Sequence, residues 1–175
     1  MNDEHDDRTE EFLVTLGGGG GPVPFHQALA RKVRELALWR SYCAILSPID
    51  RPMHYVQAMV TAAGVRVESV GSRYLQESDA VDLTADQVAT LEALGWLAPP
   101  DSDDPEWLWP YNWWRELSGF GAIDDAAALL VATLVEVHGL AANEPVHLQV
   151  FPATNEHYRW EVDKHHPCGG HLAPV

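Results

Sequence analysis

Cysteine is scarce in this sequence, since Cys43 and Cys168 are the only two among 175 residues. Two cysteines in a chain of ordinary domain size do not make a disulfide framework, and unpaired thiols are typical of proteins in a reducing compartment. The first residues are acidic, whereas an export signal begins with basic and then apolar residues. We therefore expect a cytoplasmic protein in which both thiols are free.

Basic residues and long apolar runs are also lacking. Lysine and arginine number 11 against 26 acidic residues, which gives a formal net charge of −15. A protein that binds nucleic acid needs a basic surface to neutralise phosphates, so this composition argues against a nucleic-acid partner. The sequence contains no run of about 18 apolar residues, so it predicts no membrane-spanning helix and no membrane partner.

The apolar content of 46% is enough for one sizeable core in a chain of this length. The first 24 residues combine an acidic stretch with five consecutive glycines and a Pro-Val-Pro segment, a composition that does not favour folding. We therefore predict a disordered arm over residues 1–24, a single domain over 25–163 and a flexible tail over 164–175.

Short apolar and alternating segments predict an antiparallel sheet. The first three strands are separated by turn-forming residues, as in a three-strand meander, and the last two form a C-terminal hairpin around Pro-Ala-Thr-Asn. In the second strand Val56, Ala58 and Val60 share one face, which needs an apolar cover. Helices on that face would make the fold α+β. The predicted strands are residues 42–48, 54–61, 65–70, 146–151 and 158–162.

Two helices in the first half of the chain have clear signals. Apolar residues recur at helical spacing from Phe25 onward, with basic residues turned away from them. A second helix is predicted after Thr84, because Thr84 and Gln87 have the spacing of a capping box, and Gly95 suits a left-handed helix end. Trp96 would then fold back onto this helix.

A long helix is predicted in the second half of the chain. Asp124 or Asp125 can cap its start, and it would run to His138 and stop at Gly139. It is apolar nearly all round, which is typical of a central, buried helix. Just before it, residues 112–117 are predicted to form a helical turn.

Five of the seven tryptophans lie within 19 residues, interleaved with prolines and carboxylates; we name residues 96–114 the tryptophan-rich segment. Such a cluster either holds an irregular segment on the domain or offers a contact surface, because indoles bury large areas and suit interfaces. Trp107 and Trp109 would share one side of an extended segment. We assign partner binding to Trp107, Trp109, Tyr111, Trp114 and Tyr55, and structural roles to Trp96, Trp113, Gly95 and Gly139.

Three short motifs carry a family resemblance: RPMHYVQ at residues 51–57, LEALGW at 91–96 with two prolines behind it, and NWW at 112–114. In this order the chain resembles the TY-Chap group of actinobacterial domains, which are likened to type III secretion chaperones and YbjN-type peptide-binding chaperones. The resemblance covers roughly residues 25–140. It implies an α+β domain with helices on one side of an antiparallel sheet, a protein that commonly dimerises, and peptide or protein holding without catalysis.

Enzyme and metal readings find little support in the sequence. His165, His166, Cys168 and His171 offer metal-binding groups near the end, but their spacing matches no closed site and no second ligand pair lies upstream. No Ser, His and Asp set or nucleophile elbow is marked by local sequence. We therefore predict a non-enzyme with no cofactor and no metal site.

Two classes of function remain open. In the first, the domain is a chaperone-like adaptor that binds an extended peptide or partner protein through its tryptophan-rich segment or a sheet edge. In the second, it is an acidic inhibitor or immunity-type protein whose carboxylates cover a basic site on a partner enzyme or toxin. Ionic strength separates the two, because only the second depends strongly on charge.

Overall fold

The computed structural model describes residues 10–15, 22–37, 42–61, 64–77, 80–99, 112–141 and 143–152. Six strands and several helices follow one another along these residues. The strands are β1 (Glu10–Thr15), β2 (Tyr42–Pro48), β3 (Val56–Thr61), β4 (Gly64–Ser69), β5 (Trp113–Leu117) and β6 (Pro145–Pro152). The helices are α1 (Pro22–Ala37), α2 (Ser72–Glu77), α3 (Ala85–Ala93) and α4 (Ala122–Ala132), and a π-helical turn over Thr133–Val137 continues α4.

The six strands form one antiparallel sheet in the order β1-β6-β2-β3-β4-β5. The predicted meander is confirmed as β2, β3 and β4, which are neighbours in the sheet. The predicted α+β fold is also confirmed, since helices lie against the sheet. Of the predicted C-terminal hairpin, the first strand is β6, and the second, at 158–162, lies outside the described residues.

Helices α1 and α4 pack on each other and on the sheet, so they cover the same face. The strand register places Ala44, Leu46, Val56 and Val67 on that face, and all four side chains are buried. Burying a valine or leucine side chain stabilises the fold by about 1.5–3 kcal/mol. We call the opposite side of the sheet the distal face. It carries Cys43, Ile45, Gln57, Arg66, Glu68, Trp114, Glu116 and Gln149.

Helix α3 begins and ends as predicted. The Thr84 hydroxyl accepts from the Gln87 backbone N–H, and the Gln87 side chain accepts from the Thr84 N–H at 2.8 Å, which completes the capping box. At the other end Gly95 has a positive φ of 82°, and the Trp96 N–H donates to the Leu91 carbonyl at 3.1 Å. This Schellman arrangement satisfies carbonyls that the helix end leaves free.

Strand β1 lies inside the segment that the sequence predicts to be disordered. It pairs with β6 over six residue pairs, from Glu10 opposite Val150 to Thr15 opposite Pro145. Composition did not indicate this strand, because its backbone partners in β6 lie 130 to 140 residues further along the sequence. Helix α1 also starts earlier than predicted, at Pro22, a residue whose fixed φ and missing N–H suit the first turn of a helix.

Strand β5 replaces the helical turn predicted over 112–117. Its backbone pairs with β4, from Trp113 opposite Ser69 to Leu117 opposite Val65. The prediction of a helical turn was wrong because the edge of β4 offers a ladder of unpaired backbone groups, and tryptophan fits well on a sheet.

Helix α4 is the predicted buried helix, but its ends differ in detail. Gly121, with a φ of 99°, precedes its first turn, and Asp124 and Asp125 lie within that turn, where carboxylates favour the helix dipole. After Ala132 the backbone widens into the π-helical turn, and Gly139 follows with a φ of 65°. Across the described part of the chain, no helix has the length and apolar character needed to cross a bilayer.

Candidate functional site

The two ends of the tryptophan-rich segment meet at one point of the sheet. The Leu97 N–H donates to the Trp114 carbonyl at 2.9 Å, and the Trp114 N–H donates to the Leu97 carbonyl at 3.0 Å. Because Trp114 belongs to β5, an edge strand of the sheet, this pair holds together the two positions between which the rest of the segment lies in sequence. We call residues 98–112 the tryptophan loop.

Trp96 anchors the first end of the tryptophan loop. Its indole is buried, and Nε1 donates to the Thr133 hydroxyl at 3.0 Å. That hydroxyl in turn donates to the Leu129 carbonyl at 2.8 Å, one turn earlier in α4. A buried indole with its N–H satisfied is typical of a packing role, and here it joins the end of α3 to the central helix.

A cluster of buried polar side chains holds the second end of the loop, on the distal face. The Asn112 amide donates to the Tyr55 hydroxyl at 3.0 Å and to the Glu68 carboxylate at 3.2 Å. The same carboxylate accepts from the Gln57 amide at 2.8 Å and from Arg66 Nε at 2.7 Å. We call these five residues the Glu68 cluster.

The Glu68 cluster contains a buried ion pair. Arg66 and Glu68 are both less than a tenth exposed, and a buried ion pair of this kind depends on all its hydrogen bonds for stability. Arg66 also lies 5.0 Å from the centre of the Trp114 ring, within range of a cation–π interaction. These contacts hold Asn112, the last residue of the tryptophan loop, and Trp114 of β5 on the sheet.

The predicted contact residues fall into two groups. Trp107, Trp109 and Tyr111 lie outside the described residues. Trp114 is half-buried on the distal face, and Tyr55 is 1% exposed with its hydroxyl inside the Glu68 cluster. Direct contact between Tyr55 and a partner would require the side chains around it to move, and its partner-binding role stays a prediction.

The residues predicted to be structural lie in the core or at helix ends. Trp96 and Trp113 are both buried, and Trp113 belongs to the core on the helix-covered face. Gly95 and Gly139 each have a positive φ directly after a helix. Sequence reasoning missed Asn112, Gln57, Arg66 and Glu68, because their alternation with apolar residues is also typical of a solvent-facing strand surface.

A second polar cluster lies where the π-helical turn meets the sheet. His138 Nε2 is 3.1 Å from the Ser69 hydroxyl, and the ring meets His54 edge to face with centroids 5.5 Å apart. The His138 carbonyl accepts from Arg51 Nη1 at 2.8 Å, and Arg51 also pairs with Glu144 at 2.7 Å. This cluster ties the end of the central helix to the loop between β2 and β3.

Burial sets the protonation state of the second cluster. It lowers the pKa of His138 to about 3, and the nearby His54 and Arg51 charges contribute further. The pKa of His54 is lowered by burial and then by Arg51. Among the described residues no group reaches His138 Nδ1, so the Ser69–His138 pair has no third, orienting partner there. Nor does the described part of the chain bring three metal-binding side chains together.

These features define an α+β domain with an open antiparallel sheet, helices on one face and a loop tied at one edge. Residues 23–151 match the family model TY-Chap3, whose description is T3SS (YopN, CesT) and YbjN peptide-binding chaperone 3. The chain belongs to this family, which confirms the resemblance carried by its motifs. Neither a curated protein nor a solved structure matches the chain.

Proposed function

We propose that this protein is a non-catalytic, chaperone-like adaptor that holds an extended peptide segment of a partner protein. Its membership of a family of peptide-binding chaperone domains supports a binding role of this kind. The proposal involves a protein or peptide partner, with no cofactor, metal, nucleic acid or membrane. The family resemblance implies that the protein can form a homodimer, and the proposal includes a homodimer on that ground alone.

The anchoring of the tryptophan loop is the observation that carries the proposal. Leu97 and Trp114 close the loop, Trp96 fixes one end in the core, and the Glu68 cluster fixes the other. A loop held at both ends by a rigid scaffold can present aromatic side chains with little loss of entropy on binding. Trp107 and Trp109 are the side chains that we propose to contact the peptide.

A double substitution tests this proposal. We expect Trp107→Ala with Trp109→Ala to reduce capture of peptides on an array by about tenfold or more, as interface tryptophans commonly do, while the melting temperature stays nearly constant. Phe120→Ala is the matched control, because it removes a fully exposed aromatic ring that is not part of the tryptophan-rich segment. Strong destabilisation of the double variant would assign those rings to the core and oppose the proposal.

The acidic composition supports a second candidate function. With a net charge of −15 and four carboxylates in the tryptophan loop, the chain would also suit an inhibitor or immunity-type protein that covers a basic site. Such a protein should associate with its partner much more slowly as salt rises. Apolar peptide holding should change little under the same conditions.

A further inference from the structure

Strand β1 stands outside the family domain. The family match begins at residue 23, whereas β1 covers Glu10–Thr15 and adds a sixth strand to the outer edge of β6. In sequence, six residues separate β1 from α1, and five of them are glycine. The five strands of the family domain would therefore end at β6, and this chain covers that edge with its own N-terminal segment.

Strand β1 is held on the domain by backbone pairing and by a few side chains. Six residue pairs connect it to β6, and of its side chains Val14 packs against the core. On the distal face the Glu11 carboxylate accepts from the Gln149 amide at 3.1 Å and lies 3.6 Å from His147 Nε2. Leu13 is 67% exposed. The backbone ladder, Val14 and the Glu11 carboxylate therefore hold β1 on β6 together.

We propose that β1 is a built-in occupant of the β6 edge, which an extended strand of the client replaces. This inference rests on the proposed peptide-binding function and adds a second place of contact, at the sheet edge opposite the one where the tryptophan loop is tied, and a competitor for that place. Strand addition at a sheet edge uses main-chain hydrogen bonds that many peptides can make. The predicted glycine linker keeps β1 at an effective concentration on the order of millimolar, so every client has to compete with β1 and binds with a lower apparent affinity.

The environment of β1 also defines the client that fits. It is an extended segment of about six residues without proline, because each residue of β1 has a partner in β6. Apolar side chains at alternate positions would take the places of Phe12 and Val14 on the helix-covered face. A carboxylate at the position of Glu11 would face His147 and Gln149.

A labelled synthetic peptide with the sequence of residues 8–16 is the probe, and its binding to the full chain is followed by fluorescence anisotropy. Val14→Asp loosens β1, because it places a charge against the core. Leu13→Asp makes the same chemical change on an exposed side chain and is the control. We expect Val14→Asp to bind the probe at least about tenfold more tightly than the wild type, and Leu13→Asp to match the wild type.

A reversible lock gives a second readout that does not depend on loosening the fold. Glu11 and Gln149 are direct cross-strand neighbours, so Glu11→Cys with Gln149→Cys can form a disulfide; Cys168→Ser removes one competing thiol. We expect the oxidised form to run as a monomer without reductant and to bind no probe. Reduction should restore binding.

Each other result overturns the inference. A probe that binds equally to the locked and reduced forms, or to Val14→Asp and Leu13→Asp, does not bind at the β6 edge. A disulfide-linked dimer would mean that β1 comes from a second copy. If the proposed function holds even so, the wild-type chain will still capture array peptides, and Trp107→Ala with Trp109→Ala will reduce that capture. If no array peptide binds any form of the chain, the proposed function itself fails.

Discussion

At the scale of single residues, the least expected feature is a charged pair inside the sheet. Arg66 and Glu68 alternate with buried valines, a pattern that also fits a wet strand face. Their partners Tyr55, Gln57 and Asn112 come from other parts of the chain, so no local pattern could predict the cluster. The capping box at Thr84, by contrast, was predictable because both of its residues lie within one turn.

Removing one member of the buried pair should be costly. We expect Glu68→Ala to lower the free energy of unfolding by about 3–5 kcal/mol, because the buried Arg66 charge would lose its nearer and only buried carboxylate partner among the described residues. Glu116→Ala is the control, since Glu116 also contacts Arg66 but is 66% exposed, and its loss should stay within about 0.5 kcal/mol. Urea unfolding measures both. Equal, small effects would show that the pair contributes little.

His138 should make stability depend on pH. Its pKa is about 3 in the folded protein and about 6.5 when unfolded, so the unfolded state binds the extra proton between these values. The contribution of neutral, buried His138 to the free energy of unfolding is therefore fully present above about pH 6.5, and it is lost progressively as the pH falls below that value. Between pH 7 and pH 5, the wild type should lose about 2 kcal/mol more than His138→Gln.

The control for this measurement is His147→Gln, which leaves His138 intact and lies on the distal side of β6. The His147→Gln variant should lose as much free energy of unfolding between pH 7 and pH 5 as the wild type does, whereas His138→Gln should lose about 2 kcal/mol less. Denaturant unfolding at the two pH values gives both differences. A His138→Gln variant that loses as much stability as the wild type would contradict the assignment of the loss to this ring.

At the scale of elements, the pairing of β4 with β5 explains why a glycine begins β4. A Cβ at Gly64 would lie 2.5 Å from the Leu117 carbonyl oxygen, too close for any side chain, whereas a Cβ at Gly119 would meet no heavy atom within 4 Å. Both residues have a positive φ, so both alanine variants are strained. Only in Gly64→Ala does the new methyl group also clash with β5, so that this strand has to shift.

We expect Gly119→Ala to lower the free energy of unfolding by about 1 kcal/mol, the usual size of a left-handed backbone penalty. Gly64→Ala should lower it by about 2–4 kcal/mol, because the clash adds to that penalty. Thermal or urea unfolding compares them. Equal losses would mean that β5 shifts freely, and the tie between β5 and the tryptophan loop would then be weaker than the hydrogen bonds indicate.

Elements with local signals were predictable, and elements that depend on a distant partner were not. The meander, α3 and the buried helix followed from periodicity and capping, and the structure has all three. Strands β1 and β5 form because β6 and β4 offer free edges, which no short window of sequence contains. The two edge strands are also the ones next to the proposed contact regions.

At the scale of the whole molecule, the fold gives the two sheet edges different roles in the proposed function. One edge ends at β5, where the tryptophan loop is tied, and the other ends at β6, which β1 covers. The sequence predicted the tryptophan-rich segment as the candidate contact region, but it did not predict that both ends of the loop meet at one strand. The net charge of −15 supports the second candidate function, an inhibitor or immunity-type protein that covers a basic site on its partner.

The most direct test of peptide holding is a titration of the purified full chain with the strongest peptide from the array, at low and high salt. We expect saturable binding of one peptide per chain, with an affinity that changes little as salt rises, because apolar contacts and main-chain hydrogen bonds dominate. The absence of saturable binding to a folded chain, or an affinity that collapses at high salt, would contradict the account.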